Sequence, residues 1–334
     1  MIKYKNFKVG IVGSGYWGTN ILKTLEDLKI KNIYVYDLSK KQLLSTKKKF
    51  PFIKLINSLH DLLSLNLDSY FLVTPTATHN EIAMQIILKN KDLFIEKPVT
   101  LSSNHILKLS KVAKKQNTIL MSGYVYSYNV YLKYIKDKII NKNKLGKIKY
   151  IFFERSNFGP IRNDASCNWD LAAHDISSCI YLLGEKPKVV SANGYDFLKK
   201  KIYDISTIYL KCAGVDIEIK SSWLSPSKIR KIIIIGEDKM LSFDELDPQN
   251  KIKIYNQYAK YPKTQKFKKS FFTPKANIFV GNTTSPKIKF RPPLKEEILH
   301  FFECIVERKT PRTDIDHARN VSKIIEKIET KISQ

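Results

Sequence analysis

The segment Asn168–Asp175 contains an acid and an imidazole at a spacing that suits proton transfer. Asp170 and His174 are four residues apart, so on a helix they lie on the same face. A histidine can accept a proton from a hydroxyl group and return it, and a carboxylate beside it can orient the ring and raise its basicity. We therefore predict a site for hydride transfer at an alcohol carbon. A capping aspartate beside a core or surface histidine has the same spacing.

Lys97 is a second residue with chemical potential, because it directly follows the strand pattern Leu93–Glu96 and precedes Pro98. The carboxyl ends of parallel strands line the ligand crevice of a doubly wound sheet. An ammonium group there can polarise a substrate oxygen and stabilise developing negative charge. In so lysine-rich a chain, a solvated surface charge is the alternative interpretation.

Three glycines form the pattern G-x-G-x-x-G between a predicted strand and a predicted helix. Gly13 permits a tight turn, Gly15 a close approach to a pyrophosphate, and Gly18 close packing of the helix on the sheet. The next strand ends at Asp37, whose carboxylate can accept hydrogen bonds from ribose hydroxyls and repel a 2′-phosphate. The pattern predicts bound NAD, with NADP less favoured. A glycine-rich turn with a chance acid is the alternative.

These residues need a scaffold, and the apolar patterns predict one. In the first third of the chain, short strand patterns alternate with amphipathic helices, which is typical of a parallel sheet with right-handed crossovers. After Gly123, strand patterns follow each other with few helices, which favours a mostly antiparallel sheet. We therefore predict an α/β N-terminal Rossmann domain with a doubly wound parallel sheet over residues 1–123. An α+β domain with a mostly antiparallel open sheet should follow over residues 124–334. The role of segment 251–291, an excursion, a contact arm or a loop, stays open.

The charge balance bears on partners. Lys and Arg total 58 against 31 Asp and Glu, for a formal net charge of +27. Lysine predominates and is spread along the chain, whereas bidentate contacts to phosphates and bases usually come from arginine. We expect a basic entrance for an anionic substrate and no nucleic-acid partner.

Other patterns bear on location and metal binding. No apolar run has the length of a membrane-spanning helix, and the N-terminal segment lacks the apolar stretch of a signal peptide. We expect a cytoplasmic protein without a membrane partner. The four cysteines are scattered and form no CxxC pair, so free thiols are favoured over disulfides or a metal site.

Taken together, the motifs resemble the Gfo/Idh/MocA oxidoreductases. Each motif alone is unspecific, but four of them occur in this order: Gly13–Gly18, Thr74–His79, Glu96–Pro98 and Trp169–Asp175. The resemblance implies bound NAD(H) or NADP(H) and a pyranose, cyclitol or sugar-nucleotide substrate. It also implies a second-domain open sheet that often forms the subunit interface. The Trp-Asp-Leu variant of the last motif is similar to members that act on nucleotide-linked sugars in surface-polysaccharide synthesis.

The resemblance further implies roles for individual residues. Lys97 would lie near the nicotinamide and the substrate, and Asp170 and His174 match the family's Asp-x-x-x-His pair, with the histidine as proton acceptor. The cofactor contacts would be Gly13, Ser14, Gly15, Tyr16, Trp17, Gly18, Asp37, Thr74, Pro75, His79, Glu96 and Lys97. Candidate substrate contacts are Lys97, Tyr124, Asn129, Arg155, Asn157, Arg162, Asp170 and His174. No residue is assigned to a metal.

The leading hypothesis is an NAD-dependent dehydrogenase or ketoreductase that acts on a ring carbon of a sugar, cyclitol or nucleotide-linked sugar. We expect a homodimer or homotetramer. One alternative is an NAD-dependent glycosidase, in which transient ring oxidation acidifies a neighbouring C–H bond and elimination follows. Another is a non-catalytic NAD-binding regulator, against which the joint presence of Lys97, Asp170 and His174 argues. Net NADH production separates a dehydrogenase from a glycosidase.

Overall fold

The computed structural model describes residues 4–261 and 276–334, which form two compact units. The described residues of Met1–Asn129 belong to the first unit together with Arg291–Lys327. Those of Val130–Phe290 belong to the second unit together with Ile328–Gln334. Each unit has its own sheet.

Six parallel strands form the sheet of the first unit. In chain order, the elements up to the last of these strands are β1 (Lys8–Val12), α1 (Tyr16–Asp27), β2 (Asn32–Tyr36), α2 (Lys40–Lys49), β3 (Lys54–Leu55), α3 (Leu59–Ser64), β4 (Ser69–Leu72), α4 (Thr76–Leu88), β5 (Leu93–Glu96), α5 (Ser103–Lys115) and β6 (Leu120–Gly123). The strand order is β3-β2-β1-β4-β5-β6, and every neighbouring pair is parallel. Strands β4 and β5 are buried throughout, as expected of a sheet covered on both faces. The predicted parallel α/β fold is confirmed.

The second unit contains an eight-stranded sheet. Its elements in chain order are α6 (Val130–Tyr134), a π-helical turn (Ile135–Ile140), β7 (Ile148–Phe158), a second π-helical turn (Asn168–Ala172), α7 (Ala173–Leu183), β8 (Lys188–Tyr195), β9 (Ile205–Cys212), β10 (Val215–Ser222), β11 (Leu224–Gly236), β12 (Met240–Asp244), β13 (Ile252–Lys260) and β14 (Asn277–Thr284). The strand order is β14-β13-β12-β11-β7-β10-β9-β8. Within the described residues, only the pair β7–β10 is parallel, so the prediction of a mostly antiparallel sheet is confirmed.

The segment 251–291 contains regular structure that the sequence pattern did not indicate. Strands β13 and β14 pair with each other in antiparallel fashion and extend the sheet beyond β12. All eight residues of β14 are exposed, so the alternation of apolar and polar residues that marks a half-buried strand is missing. Residues 262–275 of this segment lie outside the described residues.

Two final helices follow, α8 (Pro293–Glu307) and α9 (Ile315–Ile332). The ring of Phe301 on α8 lies 5.5 Å from that of Phe71 on β4 and 5.9 Å from that of Phe94 on β5, measured between centroids. This apolar contact puts Arg291–Lys327 in the first unit. The division therefore differs from two contiguous domains at 1–123 and 124–334, because the chain returns to complete the core of the first unit.

Within the described residues, no helix combines the length and apolar character that a membrane crossing requires. The same residues contain no group of three or more His, Cys, Asp and Glu side chains placed to hold a metal ion. Cys167, Cys179, Cys212 and Cys304 are buried free thiols.

We expect Phe301→Ala to lower the free energy of unfolding by about 3–5 kcal/mol, because it removes a buried ring and leaves a cavity. Urea denaturation of the full chain measures the change. Val306→Ala on the same helix is the control, since Val306 is exposed and such changes stay within about 0.5 kcal/mol. A loss for Phe301→Ala as small as that of the control would show that the aromatic contact does not hold α8 in place.

Candidate active site

The glycine loop between β1 and α1 has a backbone that side chains would obstruct. Gly13 has a φ of +98°, and an added Cβ there would lie 2.8 Å from the carbonyl oxygen of Val73. A Cβ on Gly18 would lie 2.4 Å from the carbonyl oxygen of Gly13, so α1 can start this close to the loop only with glycine. Beside Gly15, by contrast, no described atom lies within 4 Å of the Cβ position. The loop is thus tight towards the protein and open at its centre.

Asp37 ties the end of β2 to this loop. One carboxylate oxygen accepts hydrogen bonds from the backbone N–H of Ser14 at 2.7 Å and from its hydroxyl at 2.9 Å. The other oxygen accepts from the backbone N–H of Ser39 at 2.9 Å. A carboxylate has about four acceptor positions. Asp37 can therefore organise the loop and still accept a hydrogen bond from a ribose hydroxyl.

The start of α1 suits an anion. No side chain caps the N-terminus of the helix at Gly15, so its first N–H groups stay available as donors at the positive end of the helix dipole. Tyr16 and Trp17 follow on the first turn, 77% and 36% exposed, with their rings edge to face at 5.7 Å. The open loop, the uncapped helix and Asp37 together fit a nicotinamide dinucleotide.

The loop after β4 lies next to the glycine loop. The added Cβ on Gly13 would lie 3.0 Å from the backbone nitrogen of Thr74. The hydroxyl of Thr74 is hydrogen-bonded to that of Thr78 at 2.7 Å, and Pro75 is the N-cap residue of α4. The structure thus places Thr74 and Pro75 beside the glycine loop.

His79, a candidate cofactor contact from the sequence, is buried in the first unit. Its side chain is 1% exposed, with Nε2 2.8 Å from the carbonyl oxygen of Thr74 and Nδ1 3.1 Å from that of Pro98. Both partners are carbonyl oxygens, which only accept, so a neutral imidazole donates its single N–H to one of them and lies against the other. His79 links the loop after β4 to the loop after β5.

Lys97 lies in the turn at the carboxyl end of β5, as the sequence predicts, and the Lys97–Pro98 peptide bond is cis. The backbone N–H of Lys97 donates to the carboxylate of Glu96 at 3.1 Å. Glu96 is buried, and burial raises the pKa of its carboxyl group to about 7 against the opposing charge of Lys97. Glu96 therefore supports the turn from inside the protein.

The second unit holds Asp170 and His174 in one continuous helical stretch. Asp170 lies in the π-helical turn Asn168–Ala172, and His174 is the second residue of α7. The indole N–H of the fully buried Trp223 donates to the carboxylate of Asp170 at 3.1 Å. The structure thus places the acid and the imidazole about one helical turn apart, and the indole of Trp223 holds the acid in position.

A hydrogen-bond network that no sequence pattern indicates anchors the start of this stretch. The amide nitrogen of Asn168 donates to Glu329 at 2.9 Å, and its amide oxygen accepts from the hydroxyl of Ser206 at 2.6 Å. The hydroxyl of Ser166 also donates to Glu329. Burial raises the pKa of Glu329, and these hydrogen bonds oppose the shift. The partners are too distant in sequence for any spacing rule to connect them.

Arg155, a candidate substrate contact from the sequence, is engaged in an ion pair inside the second unit. It is buried on β7, and its guanidinium donates to both carboxylate oxygens of Asp175 at 2.7–3.2 Å. A buried charge is stable only when it is paired. Because Asp175 follows His174 directly, this ion pair anchors α7 beside the histidine.

Asn157 and Arg162 also have partners within the second unit. Asn157 donates to the carbonyl oxygen of Gly159 at 2.6 Å. Arg162 donates to both oxygens of Asp164, at 2.9 and 2.7 Å, and this pairing raises the pKa of the guanidinium and lowers that of the carboxyl group. The side chain of Arg162 remains partly exposed. Of the two arginines proposed from sequence, Arg162 is the one accessible to an anionic substrate.

Tyr124 and Asn129, two candidate substrate contacts from the sequence, are buried in the first unit. The ring of Tyr124 packs edge-on against the imidazole of His317, with centroids 5.3 Å apart. Burial raises the pKa of Tyr124 and lowers that of His317 to about 4. Tyr124 thus packs against α9 inside the first unit.

Comparisons with known proteins agree with this architecture. Residues 7–124 match the profile described as "Oxidoreductase family, NAD-binding Rossmann fold", and residues 137–242 match the GFO/IDH/MocA C-terminal domain. The chain is 24% identical to a myo-inositol 2-dehydrogenase of Thermotoga maritima over 58% of this chain and 60% of that protein. It is 26% identical to a UDP-N-acetylglucosamine 3-dehydrogenase of Acidithiobacillus ferrooxidans over 60% of this chain and 62% of that protein. The chain thus spans about three fifths of the length of these curated relatives.

Solved structures show the same fold over nearly the whole chain. The UDP-N-acetylglucosamine 3-dehydrogenase of A. ferrooxidans superposes with a TM-score of 0.79 at 19% identity, covering 98% of both chains. GenD2 from gentamicin A biosynthesis, in complex with NAD, superposes with a TM-score of 0.77 at 18% identity, covering 99% of this chain and 95% of that one. The two profiles of one family together span more than half of the sequence. The chain therefore belongs to the Gfo/Idh/MocA family of oxidoreductases.

Proposed function

We propose that this protein is an NAD-dependent dehydrogenase that moves a hydride between nicotinamide and a hydroxyl-bearing ring carbon of a sugar, a cyclitol or a nucleotide-linked sugar. The observation that carries the proposal is the open glycine loop at Gly15, bounded by Asp37 and an uncapped helix. The relatives named above act on myo-inositol and UDP-N-acetylglucosamine, which share a ring with secondary hydroxyl groups.

The residues of the first unit would hold the cofactor. The glycine loop and the first N–H groups of α1 would bind the pyrophosphate, and Asp37 would accept hydrogen bonds from the adenosine ribose. When bound, NAD supplies a carbon that accepts or donates the hydride. Tyr16 and Trp17 would cover the cofactor from the exposed side of the first turn.

Side chains of this protein would transfer the hydroxyl proton of the substrate and stabilise the charge on its reacting oxygen. His174 takes the hydroxyl proton as the alcohol is oxidised and returns it in the reverse direction. Asp170, held by the indole of Trp223, orients the imidazole. The ammonium group of Lys97 donates to the reacting oxygen and stabilises its negative charge.

The finer assignments rest on the relatives and on surface features. We infer a nucleotide-linked sugar of surface-polysaccharide biosynthesis as substrate, with Arg162 near its anionic group. We further infer a cytoplasmic homodimer or homotetramer without nucleic-acid or membrane partners. The sheet of the second unit supports the assembly, since Val190, Tyr195 and Tyr209 on β8 and β9 are exposed apolar side chains.

We expect Lys97→Ala and His174→Ala each to lower turnover by about 10²–10⁴-fold, the usual contribution of a positioned proton-transfer group. NAD affinity, measured by titration calorimetry, should stay largely unchanged. Lys89→Ala and His60→Ala are the matched controls, because Lys89 is exposed directly after α4 and His60 is exposed on α3. Full turnover in both active-site variants would refute the assigned chemistry.

A second expectation concerns cofactor choice. Asp37→Ala should shift the ratio of NAD to NADP affinity towards NADP by roughly tenfold, or about 1.4 kcal/mol, because the repulsion of a 2′-phosphate is removed. The ratio is the proper measure, since losing the contacts to Ser14 weakens binding of both dinucleotides. Asp27→Ala, at the exposed end of α1, should leave the ratio unchanged. An unchanged ratio in the Asp37 variant would contradict the role given to this carboxylate.

The reaction type has its own test. Incubation with NAD and either myo-inositol or UDP-N-acetylglucosamine should produce NADH in proportion to oxidised substrate, as followed by absorbance. A glycosidase that regenerates its cofactor would instead release an alcohol from a glycoside without net NADH. That second result would move the protein to the other class of the fold.

A further inference from the structure

Glu297 on α8 is a buried carboxyl group that the proposed chemistry does not use. Its side chain is 0% exposed. In the part of the chain that the structure describes, neither of its carboxylate oxygens has a hydrogen-bond partner. Buried polar groups are nearly always hydrogen-bonded, and a buried anion without a partner is strongly disfavoured. The protonation state of Glu297 is therefore the question that its position raises.

The packing of α8 on β5 places Glu297 near Glu96. The ring of Phe301 on α8 lies over that of Phe94 on β5, with centroids 5.9 Å apart. Glu297 lies one helical turn before Phe301, and Glu96 lies two residues after Phe94 on the same face of the strand. Each step covers about 6 Å, so each acid lies within one side-chain length of a ring in this contact. In agreement, burial first and then the charge of Glu96 raise the pKa of Glu297 well above its ordinary range.

The carboxylate of Glu96 is already committed to the turn that carries Lys97. It accepts the backbone N–H of Lys97 at 3.1 Å. Gly123 is its partner in register on β6, and an added Cβ there would lie 3.0 Å from the same carboxylate oxygen. The side chain of Glu96 thus lies across β6 in the space that glycine leaves open. Of the two acids, Glu96 is therefore the one whose negative charge is stabilised by a hydrogen-bond donor, the backbone N–H of Lys97.

The other titratable groups around Glu297 do not supply a compensating charge. The hydroxyl of Tyr128 is bonded to that of Thr313 at 3.0 Å, and burial and then the charge of Glu297 raise the pKa of Tyr128. The guanidinium of Arg312 lies 4.8 Å from the ring of Tyr128 and donates to a backbone carbonyl. Burial and then Arg312 lower the pKa of His300, which lies against the same ring. Because Arg312 already serves other groups, proton uptake is the simplest way for Glu297 to avoid a buried charge.

We propose that Glu297 is a positioning residue that keeps its proton through and above neutral pH, so that the Glu96–Glu297 pair never carries more than one negative charge there. That single charge stays on Glu96, beneath the turn of Lys97. A second anion would repel the first and separate α8 from β5. The link to Lys97 as a catalytic group rests on the proposed function, whereas the protonation of Glu297 does not.

Infrared difference spectroscopy of the full chain tests the protonation directly. At mildly alkaline pH, above the pKa of Glu96, the wild type should show the carbonyl band of a protonated carboxyl group, and Glu297→Gln should lack it. Glu296→Gln is the matched control, because Glu296 is the adjacent acid on α8 and is paired with Arg291 at 3.5 Å. The control should lose only carboxylate bands. A wild type without the protonated band would overturn the proposal.

The melting temperature provides a second, independent measurement. An acid with a raised pKa in the folded chain keeps a proton that the unfolded chain has lost, so stability falls as pH rises from the ordinary glutamate pKa to the folded one. Glu297→Gln lacks this penalty and should gain several degrees on the wild type between mildly acidic and mildly alkaline pH. Glu296→Gln should show no such gain. Glu297→Met, apolar and similar in size, should behave like Glu297→Gln. Severe destabilisation of both variants at every pH would show that Glu297 is a needed anion.

The positioning role has its own readout. Glu297→Ala leaves a cavity beneath the turn and should lower kcat about tenfold with little change in NAD affinity, whereas Glu297→Gln should restore most of the loss. Equal losses in both variants would overturn the role of Glu297 as a neutral support. A wild type inactive on every ring alcohol tested would refute the proposed function and leave the infrared result standing.

Discussion

The close contact between the backbones of Gly13 and Gly18, which leaves no space for a Cβ atom on Gly18, is the constraint on which the first unit depends. The backbone of α1 approaches the loop closely because Gly18 has no side chain. The first N–H groups of the helix therefore lie beside the end of β1. The same approach lets Ser14 reach the carboxylate of Asp37 and so couples the loop to β2. One steric condition thus joins two strands, a helix and the cofactor region.

Four acids of this basic chain support the local geometry around the candidate site residues. Asp37 holds the glycine loop, Glu96 the turn of Lys97, Asp175 the buried Arg155, and Glu329 the start of the π-helical turn at Asn168. Each is wholly or partly buried, so each acts in surroundings where hydrogen bonds to charged groups are strong. The excess of lysine is a surface property, whereas the positions of the acids determine the local geometry of both units.

Much of the architecture was predictable from the sequence, since local patterns determine it. Helices α1 and α5 are recognisable in the sequence because an apolar stripe repeats at helical spacing. The two-residue strand β3 is too short to show any period, and β14 is exposed on every residue, so neither has a sequence signal. The short motifs at Gly13 and Lys97 were found because strand ends and glycines carry them. The partner of Arg155 was missed because the pairing depends on which strand lies against which helix. The position of Glu297, four residues before Phe301, is visible in the sequence. It becomes informative only once the structure shows that Phe301 packs against β5.

The π-helical turn at Asn168–Ala172 has a consequence for how such chains are compared. A π turn is an α-helix with one extra residue inserted, and the insertion changes the angular position of everything before it relative to everything after it. Asp170 lies within the insertion and His174 beyond it. A homologous chain that lacked the extra residue would keep its histidine in place and turn its acid away from the indole of Trp223. A sequence alignment without a gap at this point could pair either the acids or the histidines of the two chains, and the gap marks the change in the geometry of the helix.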